Sequence, residues 1–258
     1  MPYAPSGNLR IYYESHGDGP SIVFLHGAGG NHAAWWQQTA HFRAAYRVIT
    51  IDLRGFGRSD SVPGGPDSLD FPGDVLAVFD HAGIGRATIL GQSIGAVAAL
   101  RFAVSHPERT DAVILAHSLG GIDHPELTPL VAADRAAAEK IPILDRLLTR
   151  TFQISEPAKT FLFQQLGTFN QATMRDLRNV NSTGPTLEEV VQHKLRLFLL
   201  TGENDAVLRP ATIRAAQNRL PGATLTVVSG APHSMYWEAP DLFNSSVQLF
   251  LKQIHGET

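Results

Sequence analysis

Apolar residues in this chain come in short unbroken runs: "SIVFLHG" (21–27), "RVITIDLRG" (47–55), "ATILGQS" (87–93), "AVILAHS" (112–118), "LRLFLLTGEND" (195–205) and "ATLTVVSGAPH" (223–233). Each is rich in Val, Ile and Leu, without the in-and-out alternation of a half-solvated strand. That is what a parallel sheet covered on both faces requires. Between the runs lie helix-like stretches at 32–43, 70–82, 94–105, 209–220 and 240–254, the last two opening with Pro210 and Pro240 in the first turn. The β-α rhythm predicts an α/β sheet with right-handed crossovers. Only the N-terminal "NLRIYYES" alternates, which predicts an antiparallel edge hairpin with residues 2–5.

From Ile122 to His193 no strand-like run appears, and "PELTPLVAADRAAAEK", "PAKTFLFQQLGTF" and "ATMRDLRNV" read as amphipathic helices. An insert there sits above the C-terminal edge of the sheet, where α/β proteins place their ligands. The chain is therefore divided into a core, 1–121 with 194–258, and a helical cap, 122–193.

Composition narrows the partners. With 258 residues, 43% of them hydrophobic and 17% charged, there is material for one large core. A net charge of -3 without like-charged runs speaks against nucleic acid. The absence of cysteine removes disulfides, thiolate catalysis and thiolate metal sites. No apolar run approaches the roughly 20 residues of a membrane span, and "MPYAPSGNLRIYYESHG" has no leader-like pattern. The expectation is a cytoplasmic protein with no membrane or nucleic-acid partner; the oligomeric state is not encoded in these patterns.

The chemistry centres on Ser93, in G-x-S-x-G at a predicted strand-to-helix junction. A turn this sharp leaves no room for side chains nearby, hence Gly91, Gly95 and Ala96. The bend holds Oγ at a helix N-terminus, where partial positive charge favours an anion. A glycine pattern of five residues also arises by chance; the strand before it and the helix after it are what distinguish this one.

A serine hydroxyl needs a base, and the base an orienting acid. Asp205 ends "LLTGEND" and His233 follows "TVVSGAPH", each just past a later strand and on the same sheet edge as Ser93. Of the other histidines only His26 and His117 share such a placement. Asp123 is the rival acid, but Asp205 has the tight "GEND" turn directly off its strand. "FLHGAGG" supplies a loop whose N–H of Ala28, together with that of Ile94, suits an oxyanion. Gly27-x-Gly29, with Asp52 ending the next strand, imitates a dinucleotide fingerprint, yet His32 occupies the third glycine position. No organic cofactor is expected, and no metal, since no H-E-x-x-H or similar spacing exists.

Together "HGAGG", "DLRGFGRSD" (52–60), "GQSIGA", "GEND" and "PHSMYWEAP" resemble the α/β-hydrolase family in motif order over about residues 2–254. The resemblance implies a mostly parallel eight-stranded sheet flanked by helices, with a cap inserted after strand 6. It implies a serine hydrolase with the triad Ser93, Asp205 and His233, and a small ester or lactone substrate of fairly apolar character. Carboxylate-nucleophile branches of the family do not fit Ser93. The C-C hydrolases usually carry Trp after the catalytic histidine, where this chain has Ser234. That activity on a diketone ring-cleavage product stays as an alternative, as does a hydrolase-shaped receptor with little turnover. His26, Gly27, Trp35, Phe152 and Trp237 are candidates for substrate contact, with Phe161, Phe163, Phe169 and Met174 as a possible apolar roof. Arg54, Gly55, Gly57 and Asp60 read as braces of their own loop.

Overall fold

Each apolar run becomes a strand, five of them buried on both faces and the last, at the sheet edge, only partly buried. The computed structural model describes residues 2–180 and 183–256. Its strands are β1 (Tyr3–Ser6), β2 (Leu9–His16), β3 (Ser21–Leu25), β4 (Arg47–Ile51), β5 (Ala87–Gln92), β6 (Thr110–Ala116), β7 (Leu197–Gly202) and β8 (Thr224–Val228). They form one sheet in the order β1-β2-β4-β3-β5-β6-β7-β8. β1 and β2 pair antiparallel, β2 joins β4 antiparallel, and from β4 to β8 all pairing is parallel.

Alternate residues of one strand enter different cores. Val23 and Leu25 pack in the layer containing Val75, Val78, Phe102 and Ile213, while Ile22 and Phe24 face Trp35, Phe42, Phe243 and Val247. Helices Phe71–Ala82, Ile94–Ser105 and Pro210–Gln217 thus cover one face, and Trp36–Phe42 with Pro240–His255 the other. The double cover explains the lack of alternation.

The chain leaves β3 toward β4 on one side and returns to add β5 on the other. Strand direction of travel therefore switches between β3 and β5. At such a point the loops after two neighbouring strands part and leave a crevice at the carboxyl edge.

Between β6 and β7 the described chain holds helices at Leu127–Ala138, Ile143–Leu147, Arg150–Ser155, Pro157–Leu166 and Leu187–Gln192. Leu127, Val180 and Val190 of this segment enter one core layer, and Leu148, Phe152 and Leu166 the other. "ATMRDLRNV" is not the expected helix. The N–H groups of Gln171 and Ala172 donate to Gly55 O, Arg178 N donates to Pro66 O, and Ser68 N donates to Arg178 O. Long-range backbone bonds of this kind satisfy the groups a helix would have paired internally, so tertiary pairing overrides the apolar period.

Candidate active site

The nucleophile turn is built by what its neighbours lack. A Cβ on Gly91 would meet the backbone of Gly95 and Ala96, and one on Gly95 would meet the carbonyls of Leu25 and His26. Ser93 itself adopts φ 55°, ψ -114°, immediately before the first residue of helix Ile94–Ser105. A non-glycine residue there is strained and is held only because the surroundings over-determine it. Ser93 N–H donates to Ala116 O at 3.0 Å, which fastens the bend to β6.

Strand register brings the loop after β3 to the same place. Leu25 pairs with Gly91, and the position of a Cβ on Gly27 would lie 3.5 Å from Ser93 Cβ. Ile94, opening its helix, carries one of the N–H groups that have no carbonyl one turn earlier. Ala28 sits next to Gly27 in a turn closed by Gly30 N–H to Gly27 O at 2.9 Å.

The acid and base loops are laced together before any side chain is considered. Glu203 N donates to Val228 O at 2.8 Å and Asn204 N to Ala231 O at 2.9 Å. Asp205 is buried, and its carboxylate accepts from Val207 N at 2.8 Å, Leu208 N at 3.0 Å and His233 Nδ1 at 3.0 Å. The structure therefore brings Asp205, not Asp123, to His233. Asp123 is exposed and lies near Thr128 Oγ1 at 3.4 Å.

A second histidine shares this acid. His117 Nδ1 lies 2.9 Å from Asp205 Oδ2, both side chains are fully buried, and its ring meets that of His233 edge-on at 5.4 Å. Burial alone would raise the Asp205 pKa; His233 and His117 more than offset it, holding the carboxyl well below the usual range. Burial pushes the His117 pKa down against the pull of Asp205, and its Nδ1–H donates to the carboxylate. The sequence showed His117 at a strand end, but its left-handed backbone, φ 57°, is what turns the ring toward the acid.

Gln92, between Gly91 and Ser93, is a strut. Its Nε2 donates to His233 O at 3.2 Å, while its Oε1 fills the space a Gly27 side chain would need. One buried amide thus spans the nucleophile strand, the base loop and the glycine loop.

The side chains expected to touch substrate mostly hold the frame instead. His26 is 1% exposed; its Nδ1–H donates to Gly27 O and its Nε2 accepts from Leu53 N, an assignment of roles that uses both ring nitrogens. Trp35 is fully buried against Phe24, Tyr236 and Phe243, because the helix starts as a 3-10 turn that rotates Trp35 inward and leaves Trp36 half exposed. Phe152 and Trp237 are buried as well, Trp237 against Trp36 and Phe163. Of the five, Gly27 lies directly beside Ser93. Phe161, Phe169 and Met174 are exposed, and Phe163 is partly buried against Trp237.

The brace reading of "DLRGFGRSD" agrees with the contacts. Arg54 donates to both oxygens of Asp74 and to Asp70, and Asp60 accepts from Arg10. Asp52, the acid of the apparent dinucleotide fingerprint, is buried and accepts from His32 N at 2.5 Å and Arg58 N at 2.8 Å. Its oxygens are taken up by its own loop and by the segment after β3.

His117, Asp205 and His233 also form the kind of cluster that holds a metal ion. Their spacing, about 3 Å from each Nδ1 to the shared carboxylate, is that of N–H donors around an acceptor. No helix among the described residues is long and apolar enough to cross a membrane.

Comparison with known proteins agrees with this architecture. Over 95% of its length the chain is 30% identical to a 2-hydroxy-6-oxononadienedioate/2-hydroxy-6-oxononatrienedioate hydrolase of Burkholderia vietnamiensis, covering 92% of that protein. It is 29% identical to 3-oxoadipate enol-lactonase 2 of Acinetobacter baylyi, with 96% and 95% of the two chains covered. Among solved structures, the enol-lactonase from Burkholderia xenovorans superposes with a TM-score of 0.79 at 25% identity, covering 97% of this chain and all of that one. A thermophilic esterase from Thermogutta terrifontis superposes with a TM-score of 0.83 at 21% identity, over 98% of each chain, and shows the fold alone. The family model of the alpha/beta hydrolase fold matches residues 20–240, and the chain belongs to that family.

Proposed function

We propose that this protein hydrolyses a carboxylic ester or lactone of a small substrate through an acyl-enzyme on Ser93. The observation that carries the reading is the buried Asp205 carboxylate bonded to His233 Nδ1, on a loop fastened through Gln92 to the strand that ends in Ser93. With Nδ1–H committed to Asp205, Nε2 of His233 is the nitrogen left to act as base.

In this mechanism His233 takes the Ser93 proton as Oγ attacks the carbonyl carbon. The N–H groups of Ala28 and Ile94 receive the negative charge that develops on the carbonyl oxygen, each such donor contributing about 2.7 to 4 kcal/mol. The proton passes from His233 to the leaving alkoxide. Water then attacks the acyl-enzyme with His233 again as base, and Ser93 regains its proton. Asp205 holds the ring and stabilises its cationic form. The core, 1–121 with 194–258, supplies all of these groups; the cap, 122–193, shapes what reaches them.

Hydrolysis of short-chain 4-nitrophenyl esters by the wild type and by Ser93→Ala tests this. Loss of a triad serine lowers kcat by up to about a millionfold. A fluorophosphonate probe should label the wild type at Ser93 and leave the variant unlabelled. Equal rates in the two proteins would overturn the mechanism.

One observation favours a second reading, cleavage of a C-C bond in a diketone ring-cleavage product. It is the 30% identity with the Burkholderia vietnamiensis hydrolase. Against it, the residue after His233 is Ser234, buried, with its N–H bonded to Leu147 O at 3.0 Å. Turnover of such a diketone exceeding that of every ester and lactone tried would decide for this reading.

A further inference from the structure

The turn Gly27–Gly30 carries the N–H of Ala28, and three of its four residues are glycine. A turn of that composition does not hold one conformation by itself. What fixes it is where its carbonyl groups go. Gly27 O accepts from His26 Nδ1–H at 2.8 Å and from Gly30 N–H at 2.9 Å. The C=O of Gly27 and the N–H of Ala28 belong to one planar peptide and point in opposite directions, so whatever holds Gly27 O also aims the Ala28 N–H.

Gly30 is held in turn from the segment between β6 and β7. Asn170 Nδ2 donates to Gly30 O at 3.0 Å, and one residue further on Asn31 Nδ2 donates to Leu166 O at 3.1 Å. The position of a Cβ on Gly167 would lie 3.3 Å from Gly29 O. The stretch 166–170 thus lies against residues 29, 30 and 31, with one hydrogen bond donated from each side.

The amide of Asn170 is fixed at its other end. Its Oδ1 accepts from Gly57 N at 3.0 Å, and the next two N–H groups, of Gln171 and Ala172, donate to Gly55 O at 3.1 and 2.8 Å. A flipped amide would set its NH2 against the Gly57 N–H and its oxygen against Gly30 O. The loop after β4, braced by Arg54 on Asp74 and by Arg58 N on Asp52, is therefore the support from which Asn170 reaches the turn.

Resting on the acyl-enzyme reading above, we propose that Asn170 is a positioning residue for the oxyanion: by holding Gly30, and through Gly30 N–H the carbonyl of Gly27, it keeps the Ala28 N–H aimed at the reacting carbonyl oxygen. The two bonds of its amide go to Gly30 and Gly57, so its effect on the reaction passes through the turn. A donor fixed in advance acts chiefly on the transition state, where the carbonyl oxygen becomes an alkoxide. The segment between β6 and β7 thereby contributes to kcat as well as to what enters the site.

Three variants separate this from a merely structural bond. Asn170→Ala removes both bonds, whereas Asn170→Asp is isosteric, keeps an acceptor for Gly57 N and loses the donor to Gly30 O. Gly167 has helical φ -67°, ψ -21°, so Gly167→Ala suits its own backbone and presses on Gly29 O instead. With 4-nitrophenyl butyrate both Asn170 variants should lower kcat about ten-fold or more while KM changes less than about two-fold, since acylation and deacylation both pass through the oxyanion. Gly167→Ala should lower kcat without lowering Tm.

The second readout is the Ki of phenyl trifluoromethyl ketone. Ser93 Oγ bonds to its carbonyl carbon, the hydroxyl proton passes to His233 Nε2, and the carbonyl π electrons become an oxyanion held by the Ala28 and Ile94 N–H groups. Its Ki should rise in each variant by the factor by which kcat/KM falls. Wild-type kcat in Asn170→Asp, a rise in KM with kcat unchanged in either Asn170 variant, or an unchanged ketone Ki beside a lowered kcat overturns the proposal. If the Asn170 variants do not fold, wild-type kcat in Gly167→Ala overturns it. Failure of the acyl-enzyme reading appears separately, as wild-type hydrolysis by Ser93→Ala.

Discussion

His117 Nδ1–H donates a hydrogen bond to Asp205 Oδ2 at 2.9 Å, on the carboxylate oxygen that the backbone N–H groups of Val207 and Leu208 leave uncovered. The acid is thereby held from two sides. Removing the donor with His117→Leu leaves a buried charged acceptor short of one bond, a loss of roughly 1.5 to 3 kcal/mol. The variant should show a lower denaturant midpoint and a lower kcat with KM little changed. His117→Asn, whose amide can still donate, should recover most of both. A leucine variant with wild-type kcat would remove His117 from the positioning of the acid.

The same burial predicts how stability depends on pH. Burial lowers the folded-state pKa of His117, which faces Asp205 and His233, and of His26, which faces Asp52 and His32. A histidine unfolds to a pKa of about 6.5. Below that value the unfolded chain binds protons that the folded one does not, so stability falls as pH drops, by at most about 1.4 kcal/mol per pH unit for each group. Asp205 acts in the same direction at lower pH: its depressed pKa contributes stability above the ordinary carboxylate range, lost as acid approaches the folded value. Urea midpoints from pH 7 to pH 5 should decline, and the decline should be shallower in His117→Asn.

How much of this site could be read without coordinates depended on whether a residue's role follows from its place on a strand. The placement of Ser93, Asp205 and His233 follows: each stands just past a strand on one edge of the parallel sheet, and Asp205 reaches His233. Side-chain direction does not follow in the same way. Trp35 and Trp36 exchange inside for outside through a single 3-10 turn, and His117 reaches the acid only through a left-handed backbone. The stretch 172–180 has a helical period but spends its N–H and C=O groups on the loop at 55–68. Gln92 gave no signal at all, since its neighbours in space are 65 and 141 residues away in sequence.

That amide makes Gly27 sensitive. In Gly27→Ala the new methyl collides with Gln92 Oε1, whose other end holds His233 O, so the displaced amide pulls on the base loop. A misplacement of about 1 Å can cost about a hundredfold in rate. Steady-state kinetics should show kcat falling at least ten-fold while the unfolding free energy from urea titration falls by less than about 2 kcal/mol. Activity within two-fold of wild type would mean that Gln92 yields freely and is no strut.

Strain at Ser93 gives a change of opposite sign in stability and activity. At φ 55°, ψ -114° any residue with a Cβ is held against its preference, whereas glycine enters positive φ without that penalty. Ser93→Gly should raise the unfolding free energy by about 1 kcal/mol while abolishing ester hydrolysis. Ser93→Ala, which keeps the Cβ, should abolish hydrolysis without that gain. Equal stabilities of the two variants in urea would show that the turn stores no strain in the serine itself.

Glu238 ties Thr149, between β6 and β7, to the segment that follows His233. Its carboxylate accepts from Thr149 N at 2.8 Å and Thr149 Oγ1 at 2.5 Å, and Thr149 in turn caps helix Arg150–Ser155 by accepting from Phe152 N at 3.1 Å. Three residues are fixed in a chain that begins five positions after His233. Glu238→Ala unmakes the first two bonds and loosens the third, at a cost of about 1 to 3 kcal/mol. Because Ser93, Asp205 and His233 make none of these contacts, the expected kinetic signature is a rise in KM with kcat changed less. Glu238→Gln, which can still accept at one oxygen, should fall between. A fall in kcat with KM unchanged would instead place Glu238 in support of His233, and the cap would have lost its anchor without consequence for substrate binding.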